Sequence, residues 1–165
     1  MKVRSKPAEQ NSAPKGRTGD AGPVPSAARL RAGLVTTVLG LFVFAVGAKP
    51  DWFGWDRSPV VGFVQLAVFL IGLGLICLGG AVGLLTLWNG RGRTIVADIG
   101  LRLLSTGYVI SVFAGMADVF GMGSQPLPGV PYFGAWQATG VLIGEVLIAV
   151  GFLMLIPYRA IFTSW

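Results

Sequence analysis

The sequence contains no histidine and only one cysteine, Cys77. Without histidine there is no imidazole to ligate haem, chlorophyll or zinc, and no catalytic triad that depends on a histidine base. A single cysteine excludes internal disulfides, Cys-x-x-Cys redox pairs and iron–sulfur clusters held by several thiolates. Charged residues are also scarce, at 12% of the chain against about 25% in a typical soluble domain. Since 53% of the residues are hydrophobic, the composition excludes an ordinary soluble enzyme and indicates a membrane protein.

Motifs for binding phosphate, dinucleotides or metals are absent from the sequence as well. It has no Walker loop, no dinucleotide-binding glycine fingerprint, no serine nucleophile elbow and no carboxylate cluster for a metal. We therefore expect neither a cofactor nor an enzymatic activity. The net charge of +6 does not indicate nucleic-acid binding, because most of it is explained by the membrane topology described below.

The first 28 residues differ in composition from the rest, being rich in proline, glycine, serine and basic residues. Such a segment buries too little apolar surface to offset the entropy of ordering it, so alone it is expected to be disordered. Through Arg31 it carries seven basic and two acidic residues. Two interpretations remain open: a solvated tail that helps to set topology, or an arm that binds anionic lipid or an acidic partner.

Four apolar stretches follow, each long enough to cross a hydrocarbon core of about 30 Å. They run over about 30–48, 60–88, 94–117 and 135–158. Because every backbone amide inside a bilayer needs a partner within the protein, these stretches are predicted to be helices. The sequence therefore predicts an all-α membrane protein with a tail at 1–28 and a domain of four transmembrane helices at 29–165.

The basic residues predict how these spans are oriented. Ten of them, including Arg91, Arg93 and Arg159, lie on the side of the tail, whereas the opposite side has only Lys49 and Arg57. Because basic residues concentrate in cytoplasmic loops, both termini are predicted to lie in the cytoplasm. Indole rings prefer the membrane boundaries, and the tryptophans predicted there are Trp52, Trp55 and Trp136 on the outer side and Trp88 on the inner side.

Glycines recur within the spans at intervals of four and seven residues, which place them on one face of each helix. Where side chains are missing, helix backbones approach closely, so the glycines predict an antiparallel bundle packed through glycine faces. Alternatively, one face, most readily that of the second or fourth span, contacts another subunit. The glycines concerned are Gly33, Gly40, Gly47, Gly72, Gly79, Gly83, Gly100, Gly107, Gly140, Gly144 and Gly151.

Two ionisable residues, Asp98 and Arg102, lie in the third predicted span. They are four residues apart and share a helix face, so they are predicted to form an ion pair in its cytoplasmic half. Ser105 continues this face and Tyr108 lies on its flank. The face is therefore expected to contact protein rather than lipid.

Glu145 is predicted to lie near the middle of the bilayer, where a carboxylate marks a candidate functional site. It falls about 120° around the helix from the glycines of its span and so faces something else. Tyr108, Ser105 and Ser111 lie at similar depths and are candidate hydroxyl donors to it. Three roles remain open: a protonated carboxyl bonded to a neighbouring helix, a proton- or cation-coupling site, or a contact with a lipid, quinone or partner helix.

The run DWFGWDRSP at 51–59, followed by VVGFVQLAVFLIGLGLICLGG, resembles small uncharacterised four-span membrane proteins of bacteria. It is also similar to an accessory membrane subunit of the alternative complex III type of quinol-oxidising assembly. The likeness covers about residues 51–80 and includes no catalytic motif, so no functional residue carries over. It implies a subunit that binds no haem or iron–sulfur centre and packs against larger subunits that do.

Three functional hypotheses follow. The first is a non-catalytic accessory subunit that binds other membrane subunits and stabilises a larger complex, such as a respiratory or photosynthetic electron-transfer complex. The second is a small proton- or ion-coupled transporter or channel that uses Glu145. The third is a lipid- or quinone-handling enzyme, although the sequence shows no group of acidic and basic side chains suited to catalysis. Quinone bound to the isolated protein would distinguish this hypothesis from the other two.

Overall fold

Four long helices make up most of the described chain. A computed structural model describes residues 26–54, 62–88, 92–122 and 134–158, and the structural statements below concern these residues. The helices are α1 (Ala27–Ala48), α2 (Phe63–Leu87), α3 (Ile95–Gly115) and α4 (Ala135–Leu155), with one turn of 3-10 helix at Pro50–Phe53. No strand occurs in this part of the sequence.

The prediction of four apolar helices long enough to cross a bilayer is confirmed. The helices have 21 to 25 residues, and their most apolar windows have mean hydropathies of 1.5 to 2.5. Many apolar side chains on these helices are exposed, for example Leu34 at 63% and Trp136 at 85%. Four long apolar helices with exposed apolar faces indicate a multi-pass membrane protein.

Several predicted features lie outside the described residues. These are the tail at 1–25, the loops at 55–61, 89–91 and 123–133, and the segment 159–165. They include Trp55, Arg91 and Arg159, and what the sequence predicts for them stays a prediction.

Local sequence explains where α3 and α4 begin. The hydroxyl of Thr94 accepts the N–H of Ala97 at 3.3 Å, which caps α3. At α4 the side-chain oxygen of Gln137 accepts the N–H of Gly134 at 2.7 Å. Both bonds satisfy backbone groups that the first turn of a helix leaves without an intrahelical partner.

α1 packs lengthwise along α2 through its three glycines, and we call these two helices the first pair. A Cβ atom on Gly33 would lie 2.7 Å from the backbone nitrogen of Gly83, and one on Gly47 would overlap the backbone of Phe69. Gly40 lies between them against the middle of α2. Residue numbers therefore fall along α2 as they rise along α1.

α2 contributes glycines of its own to this contact. A Cβ atom on Gly72 would overlap the backbone of Phe44, and one on Gly79 would lie 2.5 Å from the backbone nitrogen of Thr37. Gly83 differs, because a Cβ atom there would have no neighbour within 4 Å. Gly83 therefore contacts α1 through its backbone atoms, and a side chain at this position would project into open space.

α3 and α4 form the second pair by the same means. A Cβ atom on Gly100 would lie 2.8 Å from the carbonyl oxygen of Gly151, and one on Gly107 would lie 2.6 Å from that of Gly144. Gly140 meets the side chain of an alanine of α3. Glycine faces thus hold each pair together at backbone-to-backbone distance.

Contact between the two pairs is less extensive and depends on side chains. α1 makes little contact with α3 or α4, so the pairs meet mainly where α2 packs on α3 and α4. The ring of Phe152 lies over Gly80, and the indole N–H of Trp88 donates to the carbonyl oxygen of Leu155 at 3.0 Å. The buried residues at the centre are Leu73, Cys77, Leu104 and Ile148.

Candidate functional site

A cleft of about 490 Å³ lies between the first pair and the second pair, and we call it the Glu145 cleft. Its volume falls in the range of about 300–1,000 Å³ that is typical of small-molecule sites. Helices α1, α2 and α4 all contribute to its wall. The lining residues are Phe44, Gly47, Ala48, Gln65, Leu66, Phe69, Ala138, Val141, Leu142 and Glu145.

The Glu145 cleft extends from one end of the bundle to its middle. Ala48 ends α1 and Ala138 lies in the first turn of α4, so these two residues mark the outer end of the cleft. Glu145 lies at the midpoint of α4, which has 21 residues. The distance from Ala138 to Glu145 along the helix axis is about 10 Å at 1.5 Å per residue. Glu145 therefore lies at the end of the cleft that is nearer the middle of the bundle.

Glu145 faces away from the glycines of its own helix. Gly144 and Gly151 pack against α3, whereas Glu145 lines the cleft beside α1 and α2. This follows from the helical rotation of about 100° per residue, which turns Glu145 out of the α3 contact. Its side chain is neither fully buried nor fully exposed.

Among the described residues, no hydrogen-bond donor or basic side chain contacts the carboxylate of Glu145. The hydroxyls predicted as donors bond to backbone carbonyls instead. The bonds are Tyr108 to Leu70 at 3.4 Å, Ser105 to Arg102 at 2.9 Å, and Ser111 to Val141 at 3.4 Å. The Ser105 bond is the local contact that a short hydroxyl side chain makes within its own helix, whereas Tyr108 and Ser111 donate to carbonyls of α2 and α4. Among the described lining residues, Gln65 is the only other polar side chain.

The predicted ion pair between Asp98 and Arg102 is not formed. Instead, a carboxylate oxygen of Asp98 lies 3.8 Å from the Nε atom of Arg93. Both of these side chains are about half exposed, at 47% for Arg93 and 55% for Asp98. Arg93 directly precedes the cap of α3 and so lies beside its first turn, where Asp98 stands. Arg102 is exposed and has no ion-pair partner in the described part of the chain.

The four candidate polar residues lie at separate places in the structure. Glu145 lines the cleft, Asp98 lies at the start of α3, and Arg102 lies on an exposed face. Tyr108 lies between α3 and α2, where its ring covers Gly74. Of these four residues, Glu145 is the one that lines the Glu145 cleft.

No known family matches this chain. Comparison with known proteins finds no matching family model, no matching curated protein and no matching solved structure. Function is therefore inferred from the cleft and from the helix faces.

The structure adds three residues to the site that sequence reasoning missed. The rings of Phe44 and Phe69 lie 4.6 Å apart between centroids and form the aromatic part of the cleft wall. Gln65 supplies an amide near the start of α2. As a single polar residue in an apolar run, Gln65 could have been identified as a candidate site residue from the sequence. Nothing in the sequence distinguishes Phe44 and Phe69 from other aromatic residues of the spans.

The described tryptophans lie at the two ends of the bundle. Trp52 is 75% exposed in the turn after α1, and Trp136 is exposed in the first turn of α4, at the same end as the cleft. Trp88 lies at the other end, beside Leu155. The cleft therefore lies toward the end of the bundle that carries Trp52 and Trp136.

Among the described lining residues, the polar groups of the Glu145 cleft are one carboxylate and one amide. No group of three or more cysteine, aspartate or glutamate side chains that could hold a metal ion occurs among the described residues. A carboxylate surrounded by apolar groups can attract a cation, accept a hydrogen bond or exchange a proton. It has no second acid or base beside it for bond-breaking catalysis.

Proposed function

We propose that the protein is a non-catalytic accessory subunit that stabilises a larger complex in a bacterial cytoplasmic membrane. In this proposal the four helices form an antiparallel bundle with both termini in the cytoplasm. A respiratory or photosynthetic electron-transfer complex is the first candidate, in line with the resemblance of residues 51–80.

The observation that carries this proposal is the one-sided packing of α1. This helix packs on α2 through its glycine face and makes little contact with the second pair. On its other faces, Leu41 is 57% and Phe42 is 58% exposed. Because transmembrane helices associate by close packing, a helix with several free faces can pack against a helix of a neighbouring subunit.

Extraction in a mild detergent, followed by native electrophoresis and mass spectrometry of the excised band, tests the proposal. We expect the chain to migrate with larger membrane subunits. A photo-crosslinking residue at Leu41 should then capture a neighbouring subunit, whereas the same residue at buried Leu104 should capture only this chain. Migration as a monomer or a small homo-oligomer would contradict the proposal.

A second candidate function is a proton- or ion-coupled transporter or channel that uses Glu145. It is favoured by the position of this carboxylate, midway along α4, in an open cleft and without a partner in the described chain. Ionisable side chains at this depth often belong to ion or proton pathways.

Flux measurements distinguish this candidate from the first. The chain and its Glu145→Gln variant are reconstituted separately into vesicles that contain a pH-sensitive dye, and a cation gradient is imposed. A coupled transporter would move protons with the parent and not with the variant. Equal flux from both, or none from either, would exclude Glu145 as a coupling site.

A further inference from the structure

We propose that the Glu145 cleft is a binding site for a hydrophobic organic cation, meaning a compact apolar molecule that carries one positive charge. This inference goes beyond the subunit role. The ten described residues that line the cleft come from α1, α2 and α4.

The first argument is charge complementarity. No basic side chain lies within 4 Å of Glu145 among the described residues, and the cleft around it is apolar apart from Gln65. A carboxylate without a counter-charge in such surroundings is costly, and a cation placed beside it offsets that cost. A lipid acyl chain fills apolar space equally well but offers the carboxylate no partner.

The second argument comes from the aromatic part of the wall. Phe44 and Phe69 lie on two different helices, and their rings meet at 4.6 Å with an interplanar angle of 35°. Both line the same cleft as Glu145. The faces of aromatic rings attract cations, and they also pack well against flat apolar groups. Aromatic rings and a carboxylate in one cavity therefore favour the same class of ligand.

The third argument is size, which distinguishes a small molecule from a partner helix. The cleft has a volume of about 490 Å³. Along α4 it extends about 10 Å, from Ala138 to Glu145, which is a third of a hydrocarbon core of about 30 Å. A transmembrane helix needs a groove that runs along the whole span. The short length of the cleft fits a small molecule better than a transmembrane helix.

Tetraphenylphosphonium is the probe that tests this proposal, because it is an apolar body with one positive charge. Its equilibrium binding to the purified full chain in mild detergent is measured by dialysis with the radiolabelled cation. Tetraphenylborate, an anion of nearly the same shape, is the matched control ligand. We expect saturable binding of one cation per chain, and no saturable binding of the anion.

Two variants locate the binding site. Glu145→Gln keeps the size of the side chain and removes its charge, and we expect it to weaken binding of the cation by at least about 10-fold. Ala138→Phe fills the outer end of the cleft and should also abolish saturable binding. Ala32→Phe adds the same ring to an exposed position at the other end of α1 and should leave the affinity unchanged. If Ala138→Phe fails to fold, Ala48→Phe fills the cleft from the opposite wall.

Several results would overturn the proposal. Unchanged affinity in Glu145→Gln would show that the carboxylate does not hold the cation, and equal binding of tetraphenylborate would show simple partition. Equal effects of Ala138→Phe and Ala32→Phe would place the probe outside the cleft. Cross-linking from position 138 to a partner helix, without competition by the cation, would assign the cleft to that helix.

Discussion

At Gly144 the neighbouring helix is so close that the position of a Cβ atom is already occupied. An added Cβ would overlap the hydroxyl of Ser111 and lie 2.5 Å from the carbonyl oxygen of Gly107. Backbone atoms cannot move aside as the tip of a flexible side chain can, so the second pair depends on this position remaining glycine. Gly83 is the contrasting case, because a Cβ atom there meets nothing within 4 Å.

Gly144→Ala is therefore expected to lower the free energy of unfolding by about 1–3 kcal/mol, as overpacking of a close contact does. Titration of the purified protein in mixed micelles with a denaturing detergent measures this quantity. Gly83→Ala is the matched control and should change it by less than about 0.5 kcal/mol. Equal changes in the two variants would contradict close approach at Gly144.

Bulkier substitutions extend the same comparison to yield in cells. Gly79→Leu or Gly144→Leu should lower recovery of folded protein more than Cys77→Ala does, because Leu at either glycine separates two helix backbones. Cys77 is a buried side chain in the centre, and its loss leaves a small cavity without moving a backbone. Gel filtration of the extracted protein measures recovery, and similar recovery of all the variants would refute this comparison.

At the scale of the elements, α2 joins the two pairs, since it contacts α1, α3 and α4. The end of α2 is fixed by Trp88, whose indole N–H donates to the carbonyl oxygen of Leu155, the last residue of α4. That carbonyl belongs to a helix end, where backbone acceptors lack intrahelical partners. The bond therefore holds the two pairs together at the end opposite the Glu145 cleft.

Trp88→Phe removes the donor and keeps an aromatic ring, so we expect a loss of about 1 kcal/mol in the free energy of unfolding. Trp136→Phe is the matched control, since Trp136 is 85% exposed and donates no hydrogen bond in the described chain. The same detergent titration compares the two variants. A loss in Trp136→Phe as large as that in Trp88→Phe would argue against a specific role for the indole bond.

The helices themselves could be predicted from the sequence, whereas their partners could not. The spans predicted at about 94–117 and 135–158 became Ile95–Gly115 and Ala135–Leu155, because length and hydropathy decide where a chain can cross lipid. Glycine spacing predicts a helix face but not which helix it meets. The same limit explains why the ion-pair partner of Asp98 was predicted wrongly. The spacing of four residues places Asp98 and Arg102 on one helix face, but it carries no information about Arg93, which precedes the helix.

The Glu145 cleft illustrates this limit at the site. The depth of Glu145 follows from its position in the span, and its turn away from the glycines follows from 100° of rotation per residue. Phe44, Phe69 and Gln65 join it only because the first pair stands beside α4. This arrangement depends on how the helices pack together, and the residue pattern of a single helix does not predict it.

At the scale of the whole molecule, the chain consists of two closely packed pairs that are joined less closely to one another. The predicted orientation places the turn at Pro50–Phe53 outside the cell and the residues before α3 in the cytoplasm. Asp51 and Gly92 are exposed, described residues on these two sides. They therefore report on the orientation of the bundle.

Labelling of single cysteines in intact cells tests this orientation. In a Cys77→Ala background, a membrane-impermeant maleimide should react with Asp51→Cys directly. Gly92→Cys should react only after the cells are made permeable, because the reagent cannot otherwise reach the cytoplasm. Labelling of Gly92→Cys in intact cells would show the opposite orientation, and labelling of both would show a mixture.

Each close pair consists of helices that follow one another in the chain, α1 with α2 and α3 with α4. During biosynthesis the first two helices can therefore dock in the bilayer while the last two are still being translated. The glycines of α1 and α2 can therefore be buried before α3 and α4 have been synthesised. Insertion can thus proceed in two successive steps, and the Trp88–Leu155 bond forms only when the ribosome has finished α4.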